Sequence, residues 1–262
     1  MEPLQELFGL KGKTALVTGA SAGLGAELAR GLALAGAGVA LLARRADRLA
    51  EVAAGLEALG ARCLAVPADV TREADLDAAL ARVAAELGPV DILVNNAGIA
   101  PFGPAEQQTA ADWHEALSVN VTAAFLLSQR VGAAMIARGG GGRIINISSV
   151  MGSLGNSIYP TVSYNASKGA LTNLTRHLAV EWAPHGITVN AVAPGWFPTE
   201  MTVDPRHGDV HPRHKARMEQ RTPMGRLGRP GELMGAVIYL ASPAAAYVTG
   251  AVLPVDGGWM AW

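Results

Sequence analysis

Three features of the sequence predict an α/β fold built on a doubly wound parallel sheet. Segments with helical spacing alternate with short apolar runs along the whole chain. The apolar runs are almost unbroken, which is the pattern of strands covered on both faces. A glycine cluster follows the first run, where a strand would turn into a helix. Strands that alternate with helices and are buried on both sides pair in parallel, with helices on each face.

The elements follow in order. Residues 14–18 read as a buried strand ending in a turn, and 24–34 have helical spacing. Residues 39–43 form the second strand, and 47–59 a helix capped by Asp47. The third strand is 63–66. Residues 71–87 are an amphipathic helix, with Thr71 as its cap and Gly88-Pro89 as its stop. The fourth strand is 92–94. Residues 111–137 read as one long helix ended by the glycines 139–142, and 143–147 as the fifth strand. A helix carrying Tyr164 runs to about 183 and stops at Pro184. Strand six is 188–192, a helix covers 231–240, and 252–255 is the last strand. No repeat and no linker divides the chain, so residues 1–262 are expected to form a single domain. The irregular stretch, about 194–230, is rich in proline, arginine and histidine and is expected to be a lid over substrate.

Composition narrows the function. Half of the 262 residues are hydrophobic and 16% are charged, which supplies a sizeable core and argues against disorder. A net charge of −1 and a pI of about 6.6 give no basic surface for nucleic acid or an anionic membrane. Cys63 is the single cysteine, so no disulfide framework is built, and a reducing cytoplasm fits. The start, Met-Glu-Pro-Leu-Gln-Glu, lacks the basic and apolar regions of a signal peptide. The most apolar stretch, 31–43, is too short and too interrupted by glycine to span a bilayer.

The candidate chemistry centres on Ser163-Tyr-Asn-Ala-Ser-Lys168. Tyr164 and Lys168 are four residues apart and share one face of a helix, one turn apart. A phenol is a poor acid or base at neutral pH, and an ammonium nearby favours its phenolate. The pair is a candidate proton relay for an alcohol or ketone. Thr18-Gly-Ala-Ser-Ala-Gly-Leu-Gly25 sits where the first strand meets the first large helix. Gly19, Gly23 and Gly25 allow a tight turn and close approach of a pyrophosphate, which the amides and dipole of the helix N-terminus then face. Ser21 and Leu24 lie in the same turn. Asp69 and Val70 follow strand three. The Asp69 carboxylate is suited to accept from an adenine amino group, or to cap the next helix. The small residues of Asn95-Asn96-Ala97-Gly98 let a nucleotide lie against the end of strand four.

Taken in order, Thr-Gly-x-x-x-Gly-x-Gly, Asn-Asn-Ala-Gly, a serine before Tyr-x-x-x-Lys, and Pro194-Gly195 resemble the short-chain dehydrogenase/reductase family. The resemblance runs from about residue 10 to 258. It implies a Rossmann sheet of about seven parallel strands, a nicotinamide cofactor, and a homodimer or homotetramer. It makes Tyr164 the general acid/base and has Lys168 hold the nicotinamide ribose and lower the tyrosine pKa. Ser149, preferred over Ser148, orients the substrate oxygen, and Asn120 supports a proton-relay water. Thr199, after Pro194-Gly195, bonds the carboxamide or pyrophosphate, and Trp196 and Phe197 wall the pocket or pack the lid. Ser149 and Tyr164 are 15 residues apart where many family members have 12 or 13. The extra residues fall in 156–162 and include Tyr159, which lacks a lysine one turn on and reads as pocket lining or surface.

In a dinucleotide fold the end of strand two selects the cofactor. Here Ala43 stands where NAD-preferring relatives carry Asp, and Arg44 follows it, suited to grip a phosphate. NADP(H) is therefore expected to be preferred, without strict exclusion of NAD(H). His207, His211 and His214 are not expected to bind metal, because Pro205, Gly208 and Pro212 break the helix that would align them. Gly195-Trp-Phe-Pro-Thr-Glu-Met201 and the Trp262 terminus resemble gluconate 5-dehydrogenase-like members, which implies hydride transfer between nicotinamide and a secondary alcohol or ketone such as a sugar acid or polyol. A 3-oxoacyl-carrier-protein reductase is the rival enzyme, with Arg206, Arg213, Lys215, Arg217 and Arg221 as its basic entrance. A dinucleotide-binding regulator without turnover is the rival of another class.

Overall fold

Strand β1 (Thr14–Thr18) is buried along its whole length and hydrogen-bonded on both edges. On one side it pairs with β2 (Gly38–Ala43), which pairs with β3 (Cys63–Pro67). On the other it pairs with β4 (Ile92–Asn95), followed by β5 (Gly142–Ile147), β6 (Ile187–Pro194) and β9 (Val252–Val255). The sheet thus has seven strands in the order β3-β2-β1-β4-β5-β6-β9, all parallel. The computed structural model describes residues 4–204 and 208–262.

The unbroken apolar runs are explained by two cores, one on each face. Ala15 and Val17 of β1 pack with Leu28, Leu32, Leu49 and Leu240. These come from α2 (Gly23–Leu34), α3 (Ala46–Glu57) and α9 (Met234–Ala241). Leu16 faces the other way, against Leu76, Leu127, Met135 and Leu178. Those side chains belong to α4 (Glu73–Glu86), α6 (Ala123–Arg138) and α7 (Val162–Trp182). The order in which successive strands are laid down reverses between β1 and β4, which opens a crevice at the carboxyl ends of the strands.

Several element ends differ from the sequence expectation. Asp47 does not cap α3. Arg45 takes that position without a side-chain bond, and Asp47 lies in the first turn, where its charge still suits the helix dipole. Thr71 does not cap α4, which begins at Glu73 after Arg72. Thr71 instead donates to Asp69, through its amide at 2.9 Å and its hydroxyl at 2.7 Å, a local turn that outcompetes the cap. Helix α9 begins at Met234 and not at Gly231, whose φ of +88° is not helical. A five-residue helix, α1 (Leu4–Phe8), is too short to show periodicity in the sequence.

The long helix is interrupted. Helix α5 (Ala110–Leu117), opened by a Thr109–Asp112 capping box, passes through a π-turn at Ser118–Thr122 into α6. This span, Ala110–Arg138, and not 31–43, is the one described helix long and apolar enough to cross a membrane. Its apolar face is spent on the sheet, through Leu127, Val131 and Met135.

The stretch 194–230 is less irregular than its composition suggests. A two-stranded hairpin, β7 (Val203–Asp204) with β8 (Asp209–Val210), precedes α8 (Pro212–Arg221). Pro212 does not break this helix. It opens it at the first helical position, where a missing N–H costs nothing.

Candidate active site

The carboxyl ends of the strands form one wall of a groove of about 1030 Å³. It runs from Arg44, Asp69 and Val70 past the glycine turn to Gly98, Ser149, Tyr164 and Trp196. Ser21, Leu24, Asn96, Ala97, Lys168, Pro194, Gly195 and Thr199 also line it.

The first half fits an extended ligand with a pyrophosphate. Gly19 and Gly23 have φ of +65° and +54°, a conformation that suits glycine. A Cβ on Gly19 would lie 2.9 Å from the Ala97 Cα, and one on Gly25 would overlap the Gly19 carbonyl. Ala22, the residue before α2, offers no side-chain cap, so the first amides of that helix keep their donors for an anion. Asn96 fixes the facing wall. Its Nδ2 donates to the Thr18 carbonyl at 2.9 Å, and Thr18 Oγ1 accepts from the amides of Asn96 and Ala97. Thr199 lies over the turn, 3.6 Å from where a Cβ on Gly23 would stand. Asp69 Oδ1 is engaged by Thr71, whose bonds, with the charges of Arg44 and Arg72, hold the carboxyl below its usual range.

Helix α7 carries the second half. A stripe of polar side chains on its inner face fixes its register on the sheet. Thr175 Oγ1 accepts from Asn146 Nδ2 at 2.9 Å, and Asn146 Oδ1 accepts from Asn95 at 2.9 Å. Ser148 bonds Thr172 at 2.7 Å and donates to the Lys168 carbonyl at 3.1 Å. Both serines border the groove, but the Ser148 hydroxyl is spent on α7, whereas Ser149 stands beside Tyr164. Gly152 is packed so tightly on α7 that a Cβ would lie 2.8 Å from the Lys168 carbonyl.

Lys168 is buried, 3% exposed, with Nζ donating to the Ile147 carbonyl at 2.7 Å. Burial pushes its pKa down to about 8. Its ammonium lies 5.6 Å from the centre of the Tyr164 ring. The expected lowering of the Tyr164 pKa by Lys168 is not what this geometry gives. Enclosure raises the phenol above its ordinary value, and the nearby Ser149 hydroxyl pulls it back only in part. Asn120 sits in the π-turn, 1% exposed. Its side chain accepts from the Ile99 amide at 2.8 Å and donates to the Ile99 carbonyl and to Ser167 Oγ, at 2.9 and 2.8 Å. It thus splints the loop after β4 to α7. A Cβ on Gly98 would fall 3.3 Å from Asn120 Oδ1 and 3.5 Å from Lys168 Nζ, which brings three of the candidate residues to one point.

The extra residues before α7 form a turn around Asn156, whose Oδ1 accepts from the amides of Ile158 and Tyr159. The turn sets Tyr159 into an aromatic wall, with ring centres 5.3 Å from Phe102, 5.9 Å from Trp196 and 4.6 Å from His214. Trp259 closes the wall, 5.7 Å from Trp196. Phe197 faces inward and packs in the core against Gly228. His211 heads α8, accepting from the Arg213 amide at 3.3 Å, and His207 lies outside the described residues, as do Pro205 and Arg206.

Arg45 was missed by sequence reasoning as a site residue. Its guanidinium bonds Ser21 in the glycine turn and Glu200 after β6, across the near end of the groove. The Arg-Arg doublet was the available signal, and nothing in the sequence shows which arginine turns inward.

A glycine turn on a doubly wound sheet, leading to a half-buried Tyr164 above a buried Lys168, defines a dinucleotide-dependent oxidoreductase. A family profile described as enoyl-(acyl carrier protein) reductase matches residues 19–260. The chain is 45% identical over 257 residues to the galactitol 2-dehydrogenase (L-tagatose-forming) of Cereibacter sphaeroides, covering 98% of each chain. It is 44% identical to the gluconate 5-dehydrogenase of Gluconobacter oxydans (strain 621H), covering 97% of this chain and 96% of that one. The crystal structure of a gluconate 5-dehydrogenase from Burkholderia cenocepacia J2315, in complex with NADP and tartrate, superposes with a TM-score of 0.91. Its identity is 39%, over 99% of this chain and all of the other. The chain belongs to the short-chain dehydrogenase/reductase family.

Proposed function

We propose that the protein is an NADP(H)-preferring oxidoreductase that interconverts a secondary hydroxyl and a ketone on a polyol or sugar acid. The observation that carries this is Tyr164 and Ser149 side by side on the groove, between the glycine turn and the aromatic wall. The bound nicotinamide would accept or supply the hydride. Ser149 would donate to the substrate oxygen, and Tyr164 would move the proton on that same oxygen. Lys168 would hold the ribose beside them, and Asn120 would keep the loop after β4 in place. The stretch 194–230 would close over substrate, with Trp196 and Tyr159 as its inner wall.

The names of the relatives, acting on galactitol and gluconate, support the substrate class. The lid chemistry argues against an acyl-carrier entrance. Arg217 donates to the Ser157 carbonyl at 2.8 Å, and Arg221 bonds Ser157 Oγ and stacks on Trp259. Both cations, though exposed, are already engaged in fastening α8 to the turn at Ser157, so neither is held ready for a partner protein. We further propose a cytoplasmic homodimer or homotetramer.

The test is a screen that follows the absorbance of reduced nicotinamide with galactitol, gluconate, 5-keto-D-gluconate and a 3-oxoacyl thioester, with both cofactors. Turnover of the polyol or sugar acids with NADP(H) supports the reading, and turnover of the thioester alone refutes it. Arg44→Ala should weaken NADPH use and spare NADH. Ala43→Asp should reverse the preference by repelling a 2′-phosphate.

A further inference from the structure

Arg45 behaves as a clasp. Its Nη1 and Nη2 donate to the two carboxylate oxygens of Glu200 at 3.2 and 2.8 Å. Its Nε and Nη2 also reach Ser21 Oγ, at 3.3 and 3.1 Å. One side chain thus joins the glycine turn, the end of β2 and the first residues of the lid. Arg45 and its two partners, Ser21 and Glu200, all line the groove. A guanidinium held fork-to-fork by a carboxylate is in the geometry that also fits a phosphate.

We propose that Glu200 is a carboxylate placeholder in the subsite for the cofactor's ribose 2′-phosphate, and that the phosphate must displace it from Arg45. This rests on the NADP(H) reading above. A second anion entering beside a carboxylate is repelled until the carboxylate leaves. The pair is exposed enough to exchange, with side chains 47% and 62% accessible, and exposed ion pairs are weakly held. A phosphate brings more charge and three acceptor oxygens to the same fork. Asp47 and Arg48 add opposing charges nearby, on Arg45 and Glu200 respectively. Arg45 holds the Glu200 carboxyl below its usual range, so the placeholder stays charged at neutral pH.

Two consequences follow. Glu200 lowers the protein's discrimination between cofactors, because a dinucleotide without the phosphate leaves the clasp closed. It also ties the lid to the cofactor, because Glu200 adjoins Thr199, which lies over the glycine turn.

The probes are adenosine 2′,5′-bisphosphate and AMP, titrated calorimetrically into wild type, Glu200→Gln and the double variant Glu200→Gln/Arg45→Met. Glu200→Gln should bind the bisphosphate at least about threefold tighter than wild type, the scale of one exposed charge pair, with AMP unchanged. The double variant should lose the gain. If wild type prefers the bisphosphate to AMP and Glu200→Gln binds it no tighter, the placeholder is refuted while the NADP(H) reading stands. If neither wild type nor Glu200→Gln prefers the bisphosphate, both readings fall. Thermal melts of each variant check that the fold is intact.

Discussion

At the scale of the residue, the sequence made the Tyr164–Lys168 pairing visible but not its electrostatics. Spacing placed both on one helix face, and nothing in it revealed that Lys168 spends its ammonium on the Ile147 carbonyl. Enclosure of the ring raises the phenol above its ordinary value, so it stays protonated at neutral pH, the form needed to protonate a ketone oxygen. Tyr164→Phe should lose at least about 10²–10³ in turnover while still binding cofactor, the scale of a general acid. Stopped-flow turnover with a cofactor titration checks both halves. In the direction of alcohol oxidation, which needs the phenolate, kcat should climb with pH through the neutral and alkaline range. Lys168 adds a stability signature. Its pKa is near 8 in the fold and 10.5 when unfolded, so the unfolded chain binds more protons between these values. Its burial penalty is complete below about 8 and is relieved as pH rises, by up to roughly 3 kcal/mol. Cys63, raised from 9.0 to about 11 by burial and Glu57, works in the opposite sense from pH 9 upward, as does Tyr164 from its ordinary value of 10.0. The difference in melting temperature between wild type and Lys168→Met isolates the lysine: the variant's advantage should shrink between pH 8 and 10.

At the scale of the element, strands were legible and helix ends were not. Strands β1 to β6 carry mostly apolar runs, so their positions followed within a residue or two. Caps failed because Arg45 and Arg72, which head α3 and α4, use no side-chain bond that a motif would mark. The π-turn was invisible because one residue inserted in a long apolar helix barely alters the pattern around it. Its consequence is Asn120 turned onto Ile99. Asn120→Ala would strand the Ile99 amide and carbonyl, at a cost of about 1–3 kcal/mol for buried groups left unpaired. A lowered melting point together with at least a tenfold loss in kcat/KM is expected, because the loop after β4 faces the groove. Helix α8 was hidden by Pro212, which opens it instead of breaking it. Arg217 and Arg221 pin it through Ser157, a small and partly exposed set of contacts. Hydrogen exchange across 194–230 should therefore exceed that of β1 and β4 without ligand, and fall when cofactor and substrate bind.

At the scale of the whole molecule, the parallel sheet and its glycine turn followed from alternation and burial alone. The aromatic wall followed only in part: Trp196 and Tyr159 were expected near the pocket, but Phe102 and Trp259 join them from distant loops and no spacing rule links them. Assembly belongs to this scale too. Val180, Tyr247 and Trp262 are 79%, 104% and 83% exposed in the single chain. A dimer or tetramer should cover part of this apolar surface. Light scattering should give two or four times the 27.0 kDa of the chain.

The strand order also has a consequence in time. Strand β1 comes early in the chain yet lies inside the sheet, and its second edge is closed only by β4. The Thr14 amide bonds Asp91, 77 residues later. Until β4 docks, β1 presents an open backbone edge flanked by apolar Ala15, Leu16 and Val17, the kind that recruits strands from other chains. Closing a loop of this length is also slow relative to local helix formation. Refolding from denaturant should accordingly show helix content before native β1–β4 contact. A fragment ending at residue 91 should aggregate, and one extended past β4 and α6 to residue 141 should do so less, as read by turbidity during dilution from urea.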